Sequence, residues 1–434
     1  MIESYVRQFE TAAANGGGHG PVWLTSMRRA AIDAFRNSGF PSSKDEEWRF
    51  TAIAPIARTV FSRAPVESNV GLEDLEPFLF GHREWPRLVF LNGRFALRLS
   101  VLPTMAGIRL RSLADAVSET PAVVEGHFGK HVPLDSTPFT ALNTALNQDG
   151  ALLEVDPGVT LASPIHLLFL TTGDAEGSAI HPRAMITVGT GSRVQIIESY
   201  AALGDRLKYW TNAVTEVAVG EGAWVEHSRV QRESEAAFHI AFSQVSQGQS
   251  SHYRSFSFSM GGAIARHNLH TRLNAPGTET LLYGLYFGRE DQVVDNHTTI
   301  FHDQPDCRSW EVYKGILDDR AHAVFNGKIF VKPEAQRTDA KQTNRALLLS
   351  DSARIDTKPQ LEIFADDVKC THGATIGQLD PLASFYLRSR GVPKAAAERL
   401  LVYAFAGEVL AEISAEPVRA VLDGLIHERL GGVR

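Results

Sequence analysis

The chain has 434 residues, 44% hydrophobic and 21% charged, with a formal net charge of −7. This is ordinary globular usage, with enough chain for two or three domains, and it excludes intrinsic disorder. The acidic balance also excludes a general nucleic-acid binder, which needs clustered Lys and Arg to neutralise phosphates.

The opening segment MIESYVRQFETAAAN mixes acids and bases and lacks a continuous apolar core, so no signal peptide is expected. No run approaches the roughly eighteen apolar residues of a membrane span, and a cytoplasmic protein is expected. Residues 2–14 and 22–38 carry helical periodicity, with Pro21 at a start, Gly39 at a stop and the glycine-rich Asn15 to Gly20 as the break between them. A mixed region runs to about residue 150, with Arg87 to Leu91 as a short apolar strand and Pro133 to Pro138 as a loop.

From about 151 to 378 the pattern changes to short alternating runs such as AMITV, RVQII, VTEVAV, TLLYGLYF and HAVFNGKIFV, broken by Gly, Asn or Asp. No helical stretch of ten or more intervenes, which favours a stacked all-β architecture over α/β. Residues 186–194 and 217–225 each place a strand before a Gly-x-Gly turn and another strand after it, as rungs and corners of a parallel β-helix would. Two copies leave a sandwich open. From about 381 the chain reads as helical again. Pro393 and Pro417 are natural helix starts, and Leu400, Leu401, Phe405, Val409, Leu410 and Ile413 recur on one broad face.

The chemistry-bearing residues are few. No GxxxxGK[ST] is present to cradle phosphates, so this chain is not expected to hydrolyse ATP itself. Asp318-Asp319 and Asp366-Asp367 are neighbours that a strand points to opposite faces, so neither doublet makes a catalytic carboxylate pair by itself. His267 and His270 likewise face opposite ways on a strand. Cys307 and Cys370 supply neither a disulfide framework nor a CxxC zinc pattern. Cys307, between Asp306 and Arg308, reads first as a small buried hydrophobe and second as a partly exposed thiol activated by the guanidinium. Cys370 and His372, two apart on a strand, share one face and can present two metal ligands to it.

Four long segments carry a resemblance: LNAPGTETLLYGLY (273–286), DNHTTIFHDQPDCRSWEVYKGIL (295–317), AVFNGKIFVKPEAQRTDAKQTNRALLLSD (323–351) and KPQLEIFADDVKCTHGATIGQLD (358–380). Together they resemble the SufB/SufD family of SUF iron–sulfur cluster assembly scaffolds. GFPSSKDEEWRFT (39–51), VFLNGRF (89–95) and FYLRSRGVP (385–393) make the chain more similar to the SufD type. The resemblance implies a mainly β fold, a right-handed parallel β-helix flanked by α-helical N- and C-terminal regions. The expected divisions are 1–150, helical and mixed; 151–380, the β-helix core; and 381–434, helical.

It further implies a non-catalytic scaffold that pairs with a SufB-like subunit and a SufC-like ATPase and shares a transient iron–sulfur cluster with SufB rather than holding one stably alone. His372 would be the shared ligand, with Cys370 assisting; His297 and His302, flanking a Thr-Thr-Ile-Phe run, and Cys307 form a second tier. The SufC-docking candidates are Leu400, Leu401, Phe405 and Val409. In isolation the chain is expected to pair with itself through exposed strand edges. Neither the residues nor the resemblance assigns a reduced flavin. Two rivals stay open: a SufB-like scaffold accepting sulfur directly, for which a cysteine near Gln342 to Arg345 is missing, and a β-helical polysaccharide-active enzyme.

Overall fold

The computed structural model describes residues 1–14, 20–65, 69–134 and 136–431. The expected break at Asn15 to Gly20 lies, except for Gly20, outside these residues. Strands of mostly ten residues alternate between two sheets as the chain advances. In one sheet the strands Trp210–Val219, Phe238–Gln247, Ile264–Leu273, Val293–His302, His322–Val331 and Arg354–Ile363 pair in parallel, so that Trp210, Phe238, Ile264, Val293, His322 and Arg354 form one column. The other sheet is built the same way by the intervening strands, from Arg193–Ala202 to Val368–Gly377. The result is the expected parallel β-solenoid, each turn giving one strand to each sheet.

The two repeat segments stack one turn apart, Ile186 on Val217 and Val194 on Val225. Their glycines follow from that stacking. Gly191 and Gly222 adopt positive φ of 67° and 61°, and a Cβ on Gly189 or Gly220 would meet the backbone of the turn before at 2.5 and 2.7 Å.

Both sheets begin within the first 150 residues, with strands Arg87–Leu91 and Ile108–Ser112. There each sheet ends in a short antiparallel strand, Arg94–Phe95 in one and Ile108–Ser112 in the other. Pro138, expected in a loop, opens the helix Pro138–Leu146, which Thr137 caps by accepting from the Thr140 N–H.

Apolar side chains fill the space between the sheets, among them Val194, Val225, Tyr253, Leu282, Tyr286, Tyr313 and Phe325. The outer face of the first sheet is covered by the helices Ile2–Ala12, Val22–Ser38 and Pro138–Leu146, which converge on Trp210. Tyr5, Phe61 and Phe139 bring their rings within 6.0, 5.9 and 5.8 Å of it. The helices Lys394–Leu410 and Glu416–Arg429 cover the second sheet through Val402, Val409, Leu422 and Ile426 packed on Val230, Phe258, Leu285 and Ile316. Neither strand of the last turn, Arg354–Ile363 or Val368–Gly377, has a fully buried residue.

A terminal solenoid turn as candidate functional site

Inward and outward positions alternate along each strand, and the parallel register carries the inward positions from turn to turn. One inward column of the second sheet runs Ile196, His227, Ser255, Leu282, Glu311, Gln342 and finally His372. Ile196 and Leu282 lie in the central core. His372 takes the same inward position on the last turn and is nevertheless exposed, because no turn of the described residues stacks above it.

Cys370 sits in the neighbouring inward column above Ala340 and is half-buried against Val368, Ala340 and Ala365. Burial pushes its thiol pKa up, and Asp339 adds to this against a backbone hydrogen bond from Ala340. It is therefore a neutral thiol at physiological pH and acts as a ligand only where a metal displaces its proton.

Beneath His372, Gln342 donates its side-chain amide to Glu311 at 2.8 Å. Glu311 is buried, and the loss of water raises its pKa to about 7 despite that hydrogen bond. Sequence reasoning missed this carboxylate, since 61 positions separate it from His372 and only the solenoid register puts both in one column.

The second-tier residues are not part of this turn. His297 is buried on Val293–His302, its Nε2 3.0 Å from Asp295 and its Nδ1 3.3 Å from Glu47. Arg266 completes that cluster, ion-paired to Asp295 at 2.8 Å and stacked 3.7 Å over Trp48. The cluster fastens the segment around Glu47 and Trp48 to the solenoid. His302 is fully buried beside Ser309 at 2.9 Å, and burial lowers its pKa to about 4.

Cys307 is likewise buried, accepting a hydrogen bond from Thr278 Oγ1 at 3.0 Å, and burial raises its thiol pKa. The reading of Cys307 as an activated, partly exposed thiol is corrected accordingly: its side chain turns into the core, away from Arg308, whose guanidinium pairs with Glu279. Among the described residues no group of three His, Cys, Asp or Glu side chains is placed to hold a metal ion. No helix of the described residues is long and apolar enough to cross a membrane.

The C-terminal helical face also differs from expectation. Val409 is 1% exposed and packs on the second sheet, so it is core rather than docking surface. Phe405 is partly buried in the same cluster, with Lys314 Nζ 4.5 Å from its ring centroid. The exposed apolar residues are Leu400 and, on the helix Pro381–Ser389, Leu382, Phe385 and Tyr386, of which Leu382 is 77% and Phe385 67% exposed.

Fold and site together define a β-solenoid protein, covered by helices on both faces, whose last turn carries an exposed histidine and a half-buried cysteine. The family model described as the SufBD core domain of SUF system FeS cluster assembly matches residues 169–405, and the SufBD N-terminal region matches 1–167. The chain belongs to the SufBD family of iron–sulfur cluster assembly proteins and is of the SufD type.

An iron–sulfur cluster assembly SufBD family protein of Synechocystis is 38% identical over 90% of this chain and 87% of its own length. The iron–sulfur cluster assembly protein SufD of Escherichia coli is 32% identical over 92% of this chain and 91% of its own. A chloroplastic protein of Arabidopsis thaliana, ABCI7, is 30% identical over 91% and 84%. These relatives do not favour the polysaccharide-active reading or the sulfur-accepting SufB-like one.

Proposed function

We propose that this chain is a non-catalytic scaffold subunit that meets a SufB-like subunit at the open end of its solenoid and holds a nascent iron–sulfur cluster between them. The supporting observation is the exposure of His372 at an inward-facing position of the last turn, beside strand edges that no strand among the described residues covers. Neutral imidazole is a competent iron ligand, and a cluster held by one imidazole and one half-buried thiol needs further donors from the partner. His372 is the shared ligand, Cys370 assists, and the cluster is cargo rather than a resident group.

A SufC-like ATPase docks on the C-terminal helical end through Leu400, Leu401 and Phe405 together with Leu382 and Phe385. ATP-driven pairing of two such ATPases then twists the two scaffolds and opens or closes the shared site, a conformational use of ATP. The setting is the cytoplasm.

Co-expression with SufB and SufC counterparts, comparing wild type with His372→Ala, tests the reading. An intact complex with little iron and sulfide is expected; normal cluster content in the variant removes His372 from the mechanism.

A further inference from the structure

Far from the open end, a cavity of about 290 Å³ lies between the opening helices and the first turns of the solenoid. Four guanidinium side chains line it: Arg28 and Arg29 of the helix Val22–Ser38, Arg63 of the strand Ser62–Arg63, and Arg94 of the strand Arg94–Phe95. Three separate parts of the chain thus send positive charge to one place. Among the described residues no Asp or Glu lines the cavity.

The charges are poorly compensated. Burial disfavours the charged forms of Arg28 and Arg94, and the nearby, more exposed Arg63 adds to the effect at Arg94. Guanidinium groups stay protonated regardless, so the cost is carried by the fold. Asp149 is the carboxylate whose field reaches Arg94, yet its oxygens already accept from Ser112 Oγ at 2.8 Å and from the N–H groups of Phe95, Ala114 and Gly150 at 3.1, 3.1 and 2.7 Å.

Arg28 gives one N–H to the Asn147 carbonyl at 2.9 Å, and Arg29 lies 4.9 Å from the ring centroid of Phe9. The Nε atoms of both Arg28 and Arg94 are buried without a hydrogen-bond partner. Unspent donors on converging guanidinium groups are what an oxyanion accepts from, two parallel N–H bonds at a time. Phe9 and Leu146 supply an apolar wall to the same cavity.

We propose that this cavity is a binding site for a small phosphate monoester, with the phosphate received by Arg63 and Arg94 and the rest of the molecule lying against Phe9 and Leu146. A phosphate monoester is close to a dianion at neutral pH and answers more of the wall's charge than a single carboxylate does. The volume, at the low end for ligand sites, suits a mononucleotide or a smaller phosphorylated compound rather than a dinucleotide.

Isothermal titration of the full chain with AMP, inorganic phosphate and malonate tests this, alongside an Arg63→Gln/Arg94→Gln variant and Arg320→Gln, which alters only an exposed ion pair with Asp291. The expected result is binding of AMP and phosphate, weakened about tenfold or more in the double variant and by salt, unchanged in Arg320→Gln, with malonate the weakest of the three. Unchanged affinity in a double variant that keeps its circular dichroism spectrum overturns the site, as does tighter binding of malonate than of phosphate, or no heat for either phosphate compound at millimolar concentration. Should the double variant lose its fold, Arg63→Gln alone, an exposed position, gives the same comparison.

Discussion

Gln342 lies directly beneath His372 in the parallel ladder and commits its side-chain amide to Glu311 one turn further down, 2.8 Å away. The exposed imidazole therefore stands on a buried polar column rather than on an apolar plug. That column ends in a carboxyl group whose proton the fold retains to about pH 7.

The retained proton makes a stability prediction. Glu311 ionises near 4.5 in an unfolded chain but near 7 in the fold, so the folded state binds the proton more tightly and stability falls as pH rises between those values. Glu311→Gln should abolish that fall. Above pH 7 the variant is expected to be the more stable form by on the order of 3 kcal/mol, read from urea unfolding at several pH values.

The cluster around Arg266 titrates in the opposite sense. Burial alone would raise the Asp295 carboxyl, but Arg266 and His297 outweigh it and hold the pKa at about 2. Its stabilisation is present above the ordinary value of 3.8 and is lost as pH falls toward 2. Asp295→Asn leaves Arg266 buried without its counter-charge, at a cost of about 3–5 kcal/mol near neutrality. The difference from wild type should shrink below about pH 4 in acid-unfolding curves.

Trp210 is the point on which the N-terminal helices close over the first sheet. Trp210→Ala should destabilise by about 3–5 kcal/mol, visible as a lower thermal midpoint. Proteolysis should then attack the segment 1–65 before the solenoid, since that segment has lost its anchor while the turns keep theirs.

Leu382 and Phe385 are mostly exposed on the helix Pro381–Ser389. Replacing both with Asp should change stability by no more than about 0.5 kcal/mol, since each loses only solvent-facing surface. Pull-down of a SufC-like ATPase should drop sharply, whereas Val409→Asp should lose the fold itself. Retained ATPase binding in the Leu382→Asp/Phe385→Asp variant would move the docking surface elsewhere.

Much of the architecture was legible because each turn repeats the same steric demands. The Gly-x-Gly corners at 189–191 and 220–222 stack as their spacing suggested, since only glycine lets one corner approach the backbone of the last. Choosing a solenoid over a sandwich needed the family resemblance, because pattern alone identifies strands and not their partners. The same gap explains Glu311: nothing near it in the chain marks it as a neighbour of His372.

Val409 misled for another reason. The helix Lys394–Leu410 is apolar nearly all round, so its pattern shows a wide stripe without saying which edge meets the sheet. At Cys307 the first reading, a small buried hydrophobe, is the one the fold adopts, and only the second reading as an activated thiol fails, because Arg308 turns its guanidinium to Glu279 instead. The accessibility of His372 depends on where the stack of turns stops, which is a property of the whole chain.

The reversed strands Arg94–Phe95 and Ile108–Ser112 give the molecule a direction. At that end the hydrogen-bonding rows finish in pieces of two and five residues, too short to template an incoming chain, while the opposite end presents two ten-residue rows with their outer edges bare. A body with a single adhesive tip stops growing once it has found one mate. If the chain pairs through that tip as proposed, association is expected to halt at the pair rather than proceed to a fibre.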